Sequence, residues 1–250
     1  MEEMLTRQGL RDRLQETGEA QYHHLHPFHL KMHAGELSRE QLQAWALNRF
    51  YYQSMIPVKD SIILSKSFDS TFRLAWRKRI VDHDGDLSFP ERPGGIEKWI
   101  QLAVATGLDA DYVRSFRGVL PGVRYAVDSY VDLVSKGTLL EAVSSSLTEL
   151  FAGNLISLRM DSMRQHYPWL VNGLAYFQGR LTQAPEDAAF AFDYAFTHAT
   201  TPELQQVVVD CLVKKCALLW AQLDAIHYAY VEPGNTPPSP GIFRPGQGIQ

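Results

Sequence analysis

The sequence is poor in the features that make a disulfide scaffold, a membrane span or a polyanion-binding surface. It has two cysteines, Cys211 and Cys216. Five residues apart on a helix they point to different sides, which argues against a mutual disulfide and against a zinc knuckle. No apolar run approaches the roughly 18 residues of a transmembrane helix. Positive charge is not in excess: the formal net charge is -4 at pH 7, which speaks against a general nucleic-acid or anionic-membrane surface. The opening stretch, "MEEMLTRQGLRDRLQE", has neither a basic start nor an apolar centre, so no signal peptide is legible and the cytoplasm is the expected compartment. Strand-like alternation, internal repeats, a G-x-S-x-G elbow and a phosphate loop are all missing.

What is present reads as helix nearly throughout. At 250 residues, 45% of them hydrophobic and 21% charged, the chain is long enough for one substantial core. Apolar periodicity predicts helices over about 5–18, 22–33, 38–55, 57–84 with a break, 94–106, 120–136, 138–165, 184–199 and 202–231. Thr138 with Glu141 makes a T-x-x-E capping box, and Thr201 before Pro202 is an N-cap followed by a first-turn proline. Pro57 is expected to break or kink the run after residue 55. The segment "VEPGNTPPSPGIFRPGQGIQ" is rich in Pro and Gly and is expected to be extended, linker-like and poorly packed. The expected organisation is a single all-α domain over 1–232 with a tail over 233–250.

Five of these helices place ionisable or polar groups on an apolar stripe. In "DSTFRLAWRKRIVDHDG", Phe72, Ala75, Trp76, Arg79, Ile80 and His83 fall at i, i+3, i+4, i+7, i+8 and i+11, the core-facing side of an amphipathic helix. In "SREQLQAWALNRFYYQSM", Leu42, Trp45, Ala46, Arg49 and Gln53 share a face, with Tyr52 beside them. In "VVVDCLVKKCALLWAQLDA", Lys215 sits mid-stripe between Leu212 and Gln222, while Lys214 lies about 100° around. Glu149, Ile156 and Arg159 run along one side of "EAVSSSLTELFAGNLISLRMDS", and the buried face of "GVRYAVDSYVDLV" includes Tyr130. Any one of these could be a buried ion pair or a snorkelling side chain. Together, Arg49, Arg79, Arg159 and Lys215 cannot all pair with the one inward anion, Glu149, and an unpaired buried charge costs on the order of several kcal/mol. Either water in a cavity or a ligand with several negative charges must compensate them; the working expectation is the second, a cationic interior pocket for a compact polycarboxylate or phosphate, a ligand that suits arginine's planar fork.

Metal motifs fail on spacing. Asp82, Asp84 and Asp86 open like an EF-hand loop, but Leu87 and Pro93 stand where its glycine and its glutamate belong. Five of the nine histidines cluster in "YHHLHPFHLKMH"; His29 and His33 have an i, i+4 spacing, yet no H-E-x-x-H and no repeated Glu-x-x-His accompany them. No metal site is expected, and neither cysteine has the local partners of a nucleophile.

The blocks "YHHLHPFH", "NRFYYQSMIPVKD", "RIVDHDGD", "GGIEKWI", "LPGVRYAVDSYV", "SSSLTELF" and "HYPWL", in this order over roughly residues 20–232, resemble the pyrroloquinoline-quinone synthase (PqqC) family. The resemblance implies a compact seven-helix bundle of the haem-oxygenase/TenA-like type, usually a homodimer. It also implies an activity, the last step of pyrroloquinoline quinone (PQQ) biosynthesis: ring closure and oxidation of the bicyclic intermediate AHQQ. In that reaction O2 is co-substrate, hydrogen peroxide is released, and no metal or redox cofactor takes part. Substrate and product carry several carboxylates, the kind of ligand an over-cationic pocket needs.

Matched block by block, the resemblance implies a substrate-binding set of Tyr22, Arg49, Gln53, Lys59, Arg79, Tyr130, Glu149, Arg159 and Lys215, and a catalytic set of His23, His83, Tyr176 and Arg180. His83 would be the principal general acid/base. Tyr176 and Arg180, at i, i+4 in "AYFQGR", would hold oxygen and peroxide. The family pattern has a histidine seven residues after the "TELF" glutamate; Ile156 stands there in this chain, and is read as a packing change. Some family members are fused at the C-terminus to a PqqD peptide-chaperone domain, so the tail is either the start of such a linker or a frayed end. Two other functions share these features: a metal-dependent oxygenase on the same bundle, motivated by the histidine cluster, and a carrier that holds the quinone without turnover.

Overall fold

The computed structural model describes residues 3–238 and 241–246. Among them the chain runs α1 (Arg7–Gln21), α2 (Pro27–Ala34), α3 (Arg39–Ser65), α4 (Ser70–Asp84), α5 (Gly95–Thr106), α6 (Ala110–Arg114), α7 (Pro121–Lys136), α8 (Leu139–Ser144), α9 (Ala152–His166), α10 (Ala175–His198) and α11 (Pro202–Tyr230), with three short 3₁₀ turns and no strand. The all-α bundle agrees with expectation. The helices number eleven rather than the seven implied by the resemblance, because short pieces such as α6 and α8 stand as separate helices. No helix among the described residues is long and apolar enough to cross a membrane.

Helix α3 is the spine, packed against α4, α5 and α7. Ser38 and Gln41 close a capping box at its start. The expected break at Pro57 does not occur: the proline lies inside the helix. It removes one backbone donor, but burial of residues on both sides of it, from Leu42 to Ile63, outweighs that loss. Continuity has a consequence for the interior. Arg49, Tyr52, Gln53, Ile56 and Lys59 stay in line on one side of a single rod, and all of them face the same cavity.

Helix α4 buries Phe72, Trp76, Arg79 and His83, as their spacing predicts, while Ala75 is exposed and Ile80 half-buried, so the inward stripe is narrower than periodicity suggests. The predicted helix over 138–165 is interrupted. Its capping box forms at Thr138 and Glu141, but α8 ends at the serine run Ser144–Ser146. There Ser145 Oγ donates to the Ala142 carbonyl at 2.6 Å, a local bond that competes with helix continuation. A 3₁₀ turn over Leu147–Phe151 follows, and it carries Glu149 into the interior. Gly18 of α1 lies under the Phe151 ring, where a Cβ would overlap it, so this turn is pressed close to α1.

Helix α10 starts at Ala175, well before the predicted start at 184. Leu174 supplies no side-chain cap, and Gly179 and Pro185 weaken the local signal; buried Tyr176, Phe177, Arg180 and Ala184 hold the first turns in place. The tail is irregular and mostly exposed or half-buried, as expected, with one buried anchor. Phe243 is buried, its N–H donates to the Gly118 carbonyl at 3.2 Å, and its carbonyl accepts from the Tyr230 hydroxyl at 3.0 Å. Gly118 has a φ of 85°, and a Cβ there would meet Tyr112 and Phe243. Residues 239, 240 and 247–250 of the tail lie outside the described residues.

Apolar burial divides into two clusters, one around Trp45, Trp99 and Phe177, the other around Trp76, Phe192 and Leu212. The polar interior occupies the seam between them. Trp99, Ile156, Tyr176 and Phe177 line it from the first cluster, and Tyr22, Tyr130, Leu155 and Leu219 from the second.

Candidate active site

The seam holds a cavity of about 110 Å³. Every site residue implied by the resemblance lines it except Lys215, whose Nζ stands behind two lining tyrosines: it donates to the Tyr52 hydroxyl at 2.9 Å and lies 3.0 Å from the centroid of the Tyr130 ring. Helices α3, α4, α9, α10 and α11 and the Leu147–Phe151 turn thus bring together residues far apart in the chain.

The cations fall into two groups. Arg79 is gripped by Glu149 through two hydrogen bonds, at 2.7 and 2.6 Å, with Asp60 3.4 Å and Asp187 3.5 Å away. Arg180 reaches Asp187 at 3.1 Å and Glu149 at 3.3 Å. Lys59 pairs with Asp60 at 2.6 Å and donates to Ser146 Oγ at 3.0 Å. This wall is balanced, Lys59, Arg79 and Arg180 against Asp60, Glu149 and Asp187. Glu149 is therefore not the single interior anion that its stripe suggested; Asp60 and Asp187 join it. Burial alone would raise the Glu149 carboxyl, but Arg79 and Arg180 pull it down to about 2.

Arg49, Arg159 and Lys215 form the second group. Among the described residues none of them has a carboxylate in salt-bridge contact. Arg49 Nη1 donates to Gln222 Oε1 at 3.0 Å, with the guanidinium 3.8 Å over the Tyr52 ring. Arg159 Nη2 meets His29 Nε2 at 3.1 Å. Burial, reinforced by Arg49, lowers Arg159 to about 10. Burial, then Arg49 and Lys59, holds Lys215 well below the usual lysine range.

His83 is poised as a base. Its Nδ1 lies 3.0 Å from the Arg79 carbonyl, which can only accept, so Nδ1 carries the proton and Nε2 presents a lone pair. That Nε2 is buried and has no hydrogen-bond partner. Burial and then Arg180 push the imidazole down to about 4, so it is neutral at pH 7. His23 is likewise held far below its usual value, by burial first and then by Arg49 and Arg159. The Tyr176 hydroxyl donates to Gln53 Oε1 at 2.8 Å, and Tyr176 sits edge-on to Trp99. Ile156 is buried in the wall beside Ala152 and Leu155 and contributes no proton donor.

Asp60, Asp187, Gln222 and His29 complete this arrangement and were not assigned to the site from sequence. Gln222 was legible on the stripe of Lys215. Asp60 follows Lys59 directly, but the expected break at Pro57 hid its place on the spine. Asp187 falls within the predicted helix over 184–199, but its partners Arg79 and Arg180 lie outside that helix, and His29 looked like half of a metal pair. Among the described residues no three His, Cys, Asp or Glu side chains are grouped so as to hold a metal ion. His29 and His33 stack at 6.0 Å, with His29 Nδ1 taken up by the His23 carbonyl. Cys211 and Cys216 are free and buried, and burial pushes both thiols up to about 11, away from thiolate chemistry.

A helical bundle around a polar cavity, with more cations than anions about it, has the make-up of a site for an anionic small molecule, and its fold is of the haem-oxygenase-like class. The chain belongs to the TENA/THI-4/PQQC family, whose model matches residues 11–225. It is 52% identical over 234 residues to a pyrroloquinoline-quinone synthase of Rhodopseudomonas palustris, covering 93% of this chain and 89% of that protein. It is 49% identical over 243 residues to the synthase of Granulibacter bethesdensis, covering 97% and 93%. A bifunctional coenzyme PQQ synthesis protein C/D of Methylorubrum extorquens is 50% identical over 98% of this chain, which spans 65% of that relative's length. Two solved structures share the fold at 11% identity. One is a domain of unknown function with a haem-oxygenase-like fold from Shewanella denitrificans (TM-score 0.75, covering 94% of this chain and 98% of that one). The other is a TenA homologue from Pseudomonas syringae pv. tomato (TM-score 0.70, covering 91% and 98%).

Proposed function

We propose that this chain catalyses the final step of pyrroloquinoline quinone biosynthesis, ring closure and O2-dependent oxidation of AHQQ to PQQ with release of H2O2, without a metal or organic cofactor. It is an enzyme of PQQ biosynthesis, in line with synthase relatives 49–52% identical over most of the chain. The observation that carries the reading is the juxtaposition, in one cavity, of two arginines without counter-ions, Arg49 and Arg159, and a neutral histidine with a free lone pair, with Lys215 behind the lining tyrosines.

In this reading the substrate's carboxylates seat on Arg49 and Arg159, replacing the missing counter-charge, while Lys215 acts on them from behind Tyr52 and Tyr130. His83 Nε2 takes a proton from a ring carbon, which leaves an electron-rich anion. That anion passes electrons to O2, two electrons and two protons giving one H2O2. Arg180, with Tyr176 and Gln53, lines the space for the reduced oxygen, and fixed positive charge stabilises the developing anion. Arg79 is committed to three carboxylates and offers its carbonyl to His83. Its part is to hold Glu149 and aim the base, more than to clamp substrate. A homodimer, a cytoplasmic location and a functional link to a PqqD-type chaperone domain belong to the same proposal; the two-part name of the Methylorubrum relative supports the last.

The decisive test is single turnover with synthetic AHQQ, using protein treated with chelator, with and without oxygen. Quinone and peroxide should appear only with oxygen. Activity that returns only on adding iron or manganese would favour a metal-dependent oxygenase, and binding without oxidation a carrier.

Lys215 supplies a further expected result. Facing it are Tyr52, Arg49 and Lys59 of α3, Tyr130 of α7, Cys216 of its own helix and Glu149. A bound polycarboxylate returns the depressed ammonium toward the usual lysine value, so binding takes up a proton. Affinity for PQQ should be highest below the lowered free value and fall, by up to about tenfold per pH unit, as pH rises from there toward about 10.4. Calorimetry in buffers of different ionisation enthalpy measures the uptake directly. A heat that does not depend on buffer would remove Lys215 from the ligand's surroundings.

A further inference from the structure

Arg49 and Arg159 end on neutral partners, although carboxylates serve the other arginines of the same cavity. Gln222 is buried, and its Nε2 donates to the Leu218 carbonyl at 3.3 Å, which turns Oε1 toward Arg49. His29 is buried as well. Its Nδ1 lies 2.9 Å from the His23 carbonyl, an acceptor only, so Nδ1 carries the ring proton, and Arg159 Nη2 sits over the face of the ring, 3.1 Å from Nε2 and 3.4 Å from Nδ1. Burial and Arg159 oppose protonation of this ring, which keeps it neutral. Neither Gln222 nor His29 lines the cavity, so neither touches a bound molecule. A glutamate would occupy the space of Gln222 and give Arg49 a full counter-charge. Arg159 is buried and Arg49 half-buried, and a guanidinium shielded from water with only a neutral partner is destabilising in the free protein. That cost acquires a use when an anion arriving from outside supplies the charge.

We propose that Gln222 and His29 are positioning residues that aim Arg49 and Arg159 at the ligand's carboxylates through neutral partners, the amide oxygen of one and the ring of the other, leaving both cations uncompensated until a polycarboxylate binds. The proposal rests on the polycarboxylate reading of the cavity given above. It divides the arginines by role: Arg79 and Arg180, held by protein carboxylates, build the wall, while Arg49 and Arg159 bind.

Calorimetric titration of PQQ into the wild-type chain and into Gln222→Glu, Gln222→Met, His29→Glu and His29→Gln tests this, with thermal melting of each free protein alongside. Gln222→Glu, the closer isostere, should weaken PQQ binding about 10- to 100-fold, the scale of losing a charge-assisted contact, and by more than Gln222→Met does. It should also raise the melting temperature of the free protein. His29→Glu should weaken binding more than His29→Gln. If the amide at 222 served structure alone, the order would reverse, with glutamate keeping wild-type affinity and methionine losing it; that order overturns the proposal. Should a variant at 222 not fold, the pair at His29 decides by the same rule. If the wild-type chain takes up no PQQ, the polycarboxylate reading itself falls and this inference with it, a result distinct from the reversed order.

Discussion

His83→Asn should bind PQQ within a few-fold of wild type and lose turnover by about 10²–10⁴, the usual contribution of a positioned base. Asparagine keeps a donor for the Arg79 carbonyl, which His83 Nδ1 engages at 3.0 Å, so the wall keeps its shape. What disappears is the lone pair on a buried Nε2 that no protein group uses. The readout is quinone absorbance in a single turnover, with affinity titrated separately. The pH profile gives a second check on the same residue. Burial and Arg180 hold His83 at about 4, and a base works only when deprotonated. The wild-type rate should therefore be insensitive to this group through the neutral range and fall as pH drops through about 4. Unchanged turnover in the variant would take the proton-abstracting role away from His83.

Asp60→Ala should destabilise the fold by about 3–5 kcal/mol, the cost of breaking a buried ion pair from one side. Asp60 is fully buried, and its Oδ1 accepts from Lys59 at 2.6 Å and Trp76 Nε1 at 3.1 Å, with Arg79 Nε 3.4 Å away. Removing it leaves three buried cations facing two carboxylates and strands Lys59 without a counter-ion. For a chain of this size the loss corresponds to a fall in Tm on the order of 10 °C. Asp60→Asn, which keeps the volume and an acceptor for Trp76 but not the charge, should fall between the two. Thermal unfolding followed by circular dichroism measures both. A shift of only about 2 °C in Asp60→Ala would mean that the wall is not held by charge balance.

These two residues also mark how far the sequence carries. Helix periodicity is local, so the inward aim of Arg79 and His83, the mid-stripe place of Lys215 and Gln222, and the side shared by Arg49 and Gln53 were legible from spacing alone. The long blocks resembling the synthase family were legible for the same reason, since they are runs of consecutive residues. Capping chemistry at Thr138 and Thr201 marked true helix starts.

What spacing could not supply is anything that depends on which helix lies opposite. Asp60 and Asp187 reach Arg79 from α3 and α10, so a count of charges along single stripes overlooked them and made Arg79 look free. The continuity of α3 through Pro57 was decided by burial along its length, against the local preference of proline. The docking of Phe243 beneath Tyr230 and over Gly118 likewise rests on a surface made by distant segments, which the composition of a Pro/Gly-rich tail does not encode. By itself the sequence determined the helical class, the inward charge of the stripes and the family. The pairing of those charges, and so the division between cations that build the wall and cations left open for a ligand, was decided by tertiary structure, because electrostatic compensation is a property of neighbours in space.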